Sequence, residues 1–237
     1  MRILGIDSSC SSASCAVLND NKLEAEIFLN HKLMHSIVLF PMIESVLKMV
    51  EISIEDIDGV AVSGGPGSFT GIRIGVSAAK GIAQGGNKKF AAISSLDAMA
   101  FQQCGFEGVI CPIMDALRNN VYTALYNFEK GSLSKILDYS ALHIDELLTE
   151  LGKLGEKVMF CGDAVELHKI NIIEKLKVKA FFAPLSQSMP RASSIAELAA
   201  HRFKAGLEDN LYTYSPIYLR KPQAEREYEK KYGEPIE

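Results

Sequence analysis

The sequence predicts an α/β protein of two similar lobes, residues 1–106 and 107–237, each written in the order βββαβαβα. Three observations carry this. The 237 residues exceed one typical domain of about 150. Apolar residues at 48% and charged residues at 23% give the balance of an ordinary globular chain, not of a coiled coil or a disordered tail. From Val109 onward the same order of apolar strands and helical periods returns, as in a duplicated unit.

Residues 2–7 form a short apolar run that reads as the first strand, ending on Asp7. A Ser-rich turn leads to a second strand over 14–19, and Asn19-Asp20-Asn21 supplies turn chemistry before a third strand over 23–30. A helix follows over 36–50, then a strand over 57–63. The glycine-rich stretch 64–71 opens a helix that ends near Gln84, and a strand over 90–93 and a helix over 96–104 complete the unit. In the second half, strands are read over 109–115, 121–128 and 133–140, the latter two joined by Glu129-Lys130-Gly131-Ser132. A helix over 144–151, a strand over 157–161, a helix over 165–176, a strand over 178–182 and a helix over 193–204 follow. Asp115 then stands where Asp7 stands in the first lobe, and Gly162-Asp163-Ala164 where the loop at Gly64 does.

Lys+Arg 25 against Asp+Glu 29 leaves a net charge of −4, which excludes a free-standing nucleic-acid binder of the usual basic kind. Contact with RNA is expected only through a partner. No run reaches the ~18 apolar residues of a membrane span, and the N-terminus meets an acid too early for a signal peptide. The five scattered cysteines contain no Cys-x-x-Cys pair, which points to a reducing compartment, the cytoplasm.

The most conspicuous segment runs from Ser63 to Gly75. A glycine-rich loop between strand and helix can hold an anion on its N–H groups, with Gly65, Gly67, Ser68 and Thr70 as its members. It lacks the Gly-Lys-Ser/Thr of a P-loop, misses Gly-x-Gly-x-x-Gly by one place, and has Ala61 where a nucleophile elbow needs glycine. The other reading is a tight turn in which Ser68 or Thr70 caps the helix. His31 and His35 have i, i+4 spacing, but Lys32 replaces the glutamate a metalloprotease needs, and no metal site is predicted. No cysteine has a histidine beside it. The run from Arg220 to Lys231 mixes Arg226, Lys230 and Lys231 with Glu225, Glu227 and Glu229, a solvated helix or frayed tail, with a weak RNA or partner contact as the alternative.

The helices speak for a partner. On the helix over 36–51, apolar residues including Phe40, Ile43 and Leu47 spread over roughly 200° of the wheel, against the ~100° stripe a surface helix needs. Pro41 kinks that helix or marks its start. On the next helix Gly71, Gly75, Ala79 and Ala83 recur every fourth residue, a small-residue ridge along which another helix can approach. Phe40, Ile43, Leu47, Gly75 and Ala79, with His35, Gly71 and Arg73 beside them, are the candidate docking residues.

Two such lobes side by side resemble the actin-like ATPases. There the nucleotide sits between the lobes and a carboxylate ending the first strand faces metal and phosphate. Asp7-Ser8-Ser9 stands at the place of their Asp-x-Gly-x-Thr hairpin but lacks its glycine, and residues 115–120 lack the matching glycines of the second lobe. Both phosphate clamps read as eroded. A small-molecule kinase of this fold, a module that binds nucleotide at the Gly67 loop, and a peptidase remain the alternatives.

Ile3-Leu4-Gly5-Ile6-Asp7-Ser8-Ser9, His35-Ser36 opening a helix with Pro41, and Gly65-Pro66-Gly67-Ser68-Phe69-Thr70-Gly71-Ile72-Arg73-Ile74-Gly75 resemble the TsaB (YeaZ) family. Lys80-Gly81-Ile82-Ala83, Asp115-Ala116 and Pro216-Ile217-Tyr218-Leu219-Arg220 extend the resemblance along most of the chain. It departs at Leu117-Arg118, where relatives often carry arginine directly after Asp-Ala. The resemblance implies an accessory subunit of the bacterial machine that makes N6-threonylcarbamoyladenosine at position 37 of tRNAs reading ANN codons. It implies docking through the N-terminal lobe on a catalytic paralogue, TsaD, engagement by a small ATPase, TsaE, and a homodimer through a similar surface. No cofactor is then required of this subunit, and weak ATP or ADP binding stays open.

Overall fold

The computed structural model describes residues 1–31, 34–129 and 132–220, together with Tyr228 and Gly233. Among the described residues ten strands and six α-helices follow in chain order. The first sheet holds β1 (Arg2–Asp7), β2 (Ala13–Asn19), β3 (Lys22–Leu29), β4 (Gly59–Gly65) and β5 (Lys89–Ser94). The second holds β6 (Val109–Asp115), β7 (Asn120–Glu129), β8 (Ser132–His143), β9 (Val158–Cys161) and β10 (Ala180–Phe182). Their orders, β3-β2-β1-β4-β5 and β8-β7-β6-β9-β10, are the same pattern. In each, three strands meander antiparallel, a fourth joins the central strand in parallel and a fifth pairs in parallel with the fourth.

The expected strand over 178–182 is shorter than its apolar run. Lys177 takes a positive φ of 52°, ending α5 (Val165–Leu176), and a 3-10 turn consumes Lys177–Lys179 before β10 begins. Pro41 neither starts nor stops α1 (His35–Met49); it lies inside it, its side facing solvent. Lys130 and Gly131 of the β7–β8 connection, and Lys221–Lys231 apart from Tyr228, lie outside the described residues. Among the described residues no helix is long and apolar enough to cross a membrane.

α1 and α2 (Phe69–Gly85) cover one face of the first sheet, packing Leu39, Ile43, Val46, Ile72 and Val76 on Leu4, Ile6, Val60 and Val62. α4 (Ile144–Leu154) and α5 do the same for the second sheet through Leu147, Leu151, Val165 and Ile172. The other two helices cross over. α6 (Ala192–Lys204) lies on the inner face of the first sheet, its alanines against Ile3, Ala61 and Ala91. α3 (Ser95–Phe101) packs on β6 and β7, with Leu96 and Met99 beside Ile110 and Tyr126. The two halves of the sequence therefore interlock rather than sit side by side.

Polar groups fasten the crossings. Glu26 of β3 accepts from the Ser193 amide at 3.0 Å and its hydroxyl at 2.8 Å, and Ser14 accepts from the Ala192 amide at 2.9 Å, so the first strands supply the caps that α6 lacks. Gly5 is required beneath, because a Cβ there would overlap the Ala192 carbonyl. Asp97 of α3 accepts the hydroxyls of Tyr126 at 2.6 Å and Tyr139 at 2.7 Å, both from the second sheet.

Candidate functional site

The turn between β1 and β2, the place expected from the sequence resemblance to meet phosphate, is packed by the protein itself. Asp7 is fully buried. Its Oδ1 accepts the Ser9 amide at 3.3 Å and hydroxyl at 2.7 Å, while Oδ2 has no hydrogen-bond partner among the described residues. Burial pushes its carboxyl above the ordinary range, and hydrogen bonding from Ser9 opposes that.

The glycine-rich loop packs on the two residues that follow Asp7. A Cβ at Gly67 would overlap the Ser9 carbonyl, and one at Gly71 the Ser8 carbonyl. The Ser68 amide donates to Ser9 O at 2.7 Å and Ser8 Oγ donates to Gly71 O at 2.8 Å. On its other side the loop carries residues 207–220, a strap that follows α6. A Cβ at Gly64 would overlap the Tyr214 hydroxyl, and one at Gly65 would lie 2.9 Å from the Ile217 carbonyl. The Ile217 amide donates to Gly64 O at 2.8 Å. These glycines thus let three chain segments meet at backbone contact distance. Ser68, not Thr70, caps α2, accepting from the Gly71 amide at 3.2 Å; Thr70 is exposed on the first turn.

Between the sheets lies a cleft of about 1030 Å³, walled by Ser9–Ser11, the loop at Gly67, the β6–β7 turn and Ile217–Arg220 of the strap. His35, the first residue of α1, borders it and donates from Nε2 to the Cys10 carbonyl at 2.7 Å; His31 lies before the helix, so the i, i+4 pair does not share one. Opposite, Asp115 accepts the Leu117 amide at 2.8 Å and gives its own amide to Asp163 at 3.0 Å. Leu117, Arg118 and Asn119 have φ of 64°, 57° and 58°, three left-handed non-glycine residues in a row. Asn120 Nδ2, donating to Leu117 O and Arg118 O, and Arg220, donating to Ala116 O, hold this turn. It is the place where the chain departs from the family motif.

Burial pushes the Asp163 carboxyl up to about 6, with the Asp115 amide pulling the other way. Its folded pKa lies above the unfolded value near 4, so ionisation costs stability as pH rises through about 6. Asp163→Asn is expected to unfold at higher denaturant than the natural protein at pH 7 and to flatten the loss between pH 4 and 6. A variant weaker at pH 7 would contradict this.

The candidate docking residues divide. Ile43 and Leu47 are buried against the first sheet, and Gly71, Gly75 and Ala79 face Ser8, Val62 and the core. The small-residue ridge therefore serves the contact of α2 with its own sheet and β1–β2 turn, a correction to the expectation of a partner helix there. Phe40 is 58% exposed, with Met34 at 66%, Ile37 at 57% and Met49 at 67% on or just before α1. Arg73 is exposed on α2. The residues singled out from the sequence leave out Met34, which precedes the helix, and Ile37, which lies within the span read as helix. The strap residues Tyr214 and Tyr218 carried no local signal beyond the resemblance at 216–220.

A family model described as "TsaD: tRNA N6-adenosine threonylcarbamoyltransferase" matches residues 27–228. The "tRNA threonylcarbamoyladenosine biosynthesis protein TsaB" of Bacillus subtilis (strain 168) is 33% identical over 228 residues, covering 96% of this chain and 98% of that protein. The protein of the same description from Escherichia coli (strain K12) is 35% identical over 136 residues, 56% of this chain and 58% of its own. A Pseudomonas aeruginosa crystal structure, titled as an uncharacterized protein with similarity to peptidase YEAZ, superposes with a TM-score of 0.77 at 22% identity, over 92% of this chain and 99% of that one, and shows the shared fold. The chain belongs to the TsaB (YeaZ) family.

Proposed function

We propose that this protein is a non-catalytic scaffold and activator that acts in the cytoplasm with a TsaD-like catalytic paralogue and a TsaE-like ATPase to threonylcarbamoylate adenosine 37 of ANN-decoding tRNA. It meets tRNA through the complex, requires no cofactor of its own, and pairs with a second copy through the same face when the paralogue is absent. The observation that carries this reading is the full burial of Asp7, which lies behind Ser9 and outside the residues that wall the cleft. The exposed Ile37 and Phe40 on α1 supply the complementary half: apolar surface without a covering element among the described residues.

The test is reconstitution with the TsaD-like and TsaE-like subunits, tRNA and threonylcarbamoyl adenylate, with modified adenosine assayed by mass spectrometry. Product is expected only when this protein is present, and equally with Asp7→Asn. The pair Ile37→Asp and Phe40→Asp is expected to lower affinity for the catalytic paralogue at least ~100-fold, as loss of central apolar anchors does, with its melting temperature unchanged. Loss of product in Asp7→Asn that still binds the paralogue would make the cleft catalytic and overturn the reading.

A further inference from the structure

α2 carries two cations, Arg73 and Lys80, two helical turns apart, a rise of about 10.5 Å. The strap runs antiparallel alongside, with its Tyr214 beside Lys80 and its Tyr218 beside Arg73, one tyrosine to each cation. Lys80 Nζ donates to the Tyr214 carbonyl at 2.9 Å and is thereby turned back on the protein. Arg73 is treated differently. Its guanidinium carbon lies 3.8 Å over the Phe69 ring and 5.8 Å from the Tyr218 ring, and its Nε donates to the Tyr218 hydroxyl at 3.1 Å. Phe69 and Tyr218 themselves stack at 5.0 Å.

Two rings and one hydrogen bond therefore fix the plane of an exposed arginine. Among the described residues Nη1 and Nη2 have no partner, so the outer edge of the fork is presented to whatever docks on α2. An arginine held in this way has already lost most of the rotamer freedom that binding would remove. Its edge matches a carboxylate taken end-on through two parallel N–H···O bonds. α1 lies alongside on the same sheet face, His35 next to Gly71, and adds the apolar surface of Ile37 and Phe40. RNA is the less fitting occupant: a phosphate track needs several cations in line, whereas Lys80 is committed to the strap and the chain carries −4 overall.

We propose that Arg73 is the electrostatic anchor of the docking face, receiving a carboxylate of the transferase-like partner, and that Phe69 and Tyr218 are its positioning residues. This rests on the docking role given to α1 and α2 above. The strap thereby becomes part of the interface through one side chain.

Calorimetric titration of the full-length protein with the TsaD-like subunit tests it. Arg73→Gln is expected to weaken binding about 10- to 100-fold and to flatten its salt dependence, and Arg73→Lys to recover little, because a point charge has no fork. Tyr218→Phe keeps the ring, removes the hydroxyl, and is expected to weaken binding several-fold. Combined with Arg73→Gln it adds nothing, whereas a merely structural Tyr218 would add its full effect. Natural protein that binds while Arg73→Gln binds equally overturns the anchor and leaves the docking role standing. Natural protein that does not bind the subunit at all overturns both. Unchanged subunit binding by Arg73→Gln with weaker tRNA retention by the complex assigns the arginine to a phosphate and overturns the carboxylate.

Discussion

Gly71→Ala is expected to cost about 2–4 kcal/mol, at the upper end of overpacking penalties, and to lower the melting temperature by about 5–15 °C for a chain of this size. The added methyl would overlap the Ser8 carbonyl, which is backbone and cannot rotate away. Nor can the segments separate, since Ser8 Oγ donates to Gly71 O at 2.8 Å and the Ser68 amide to Ser9 O at 2.7 Å. Gly81 on the same helix is exposed and has nothing within 4 Å of its Cβ position. Gly81→Ala is therefore expected to stabilise by up to about 1 kcal/mol, through helix propensity alone. Opposite signs from one chemical change at two positions ten residues apart on the same helix would establish close approach as the reason for Gly71. Equal effects would refute it.

Asp97→Ala is expected to cost about 2–4 kcal/mol in urea unfolding, because it strips the acceptor from the hydroxyl of Tyr126, which is buried, and from that of Tyr139. Asp97→Asn keeps one carbonyl oxygen and should fall between the two. Adding Tyr126→Phe to Asp97→Ala should restore part of the loss, since the stranded hydroxyl goes with it. Additive losses in the double variant would show that the two groups act independently.

The strands and helices were legible because their signals are local. The apolar runs of β1 and β6, the turn at Asp20 and the cap at Ser68 each depend on a few adjacent residues. What the glycine-rich stretch does was not legible, because its partners are remote. Ser8 lies 63 positions from Gly71, and Tyr214 lies 150 from Gly64. A sequence pattern says that backbone comes close to something at these glycines, not whether that something is a phosphate or another part of the chain. The proposed docking face was half legible for a related reason. A helical wheel displays every apolar residue of α1, but Ile43 and Phe40 are separated only by knowing where the sheet lies. The departure at Leu117-Arg118 marked this turn as unusual but not its shape, since left-handed backbone without glycine is imposed by the bonds around it.

The crossing of α6 has a consequence for synthesis on the ribosome. The first sheet is complete once Ser94 has been made, yet the helix that covers Ile3, Ala61 and Ala91 begins only at Ala192. About 100 residues separate the two, which at ~5–20 residues per second is a wait of roughly 5–20 s. Through that interval the nascent chain presents a finished sheet with one bare apolar face. The first lobe is born early and sealed last, and newborn chains are the form of this protein with the greatest need of a chaperone.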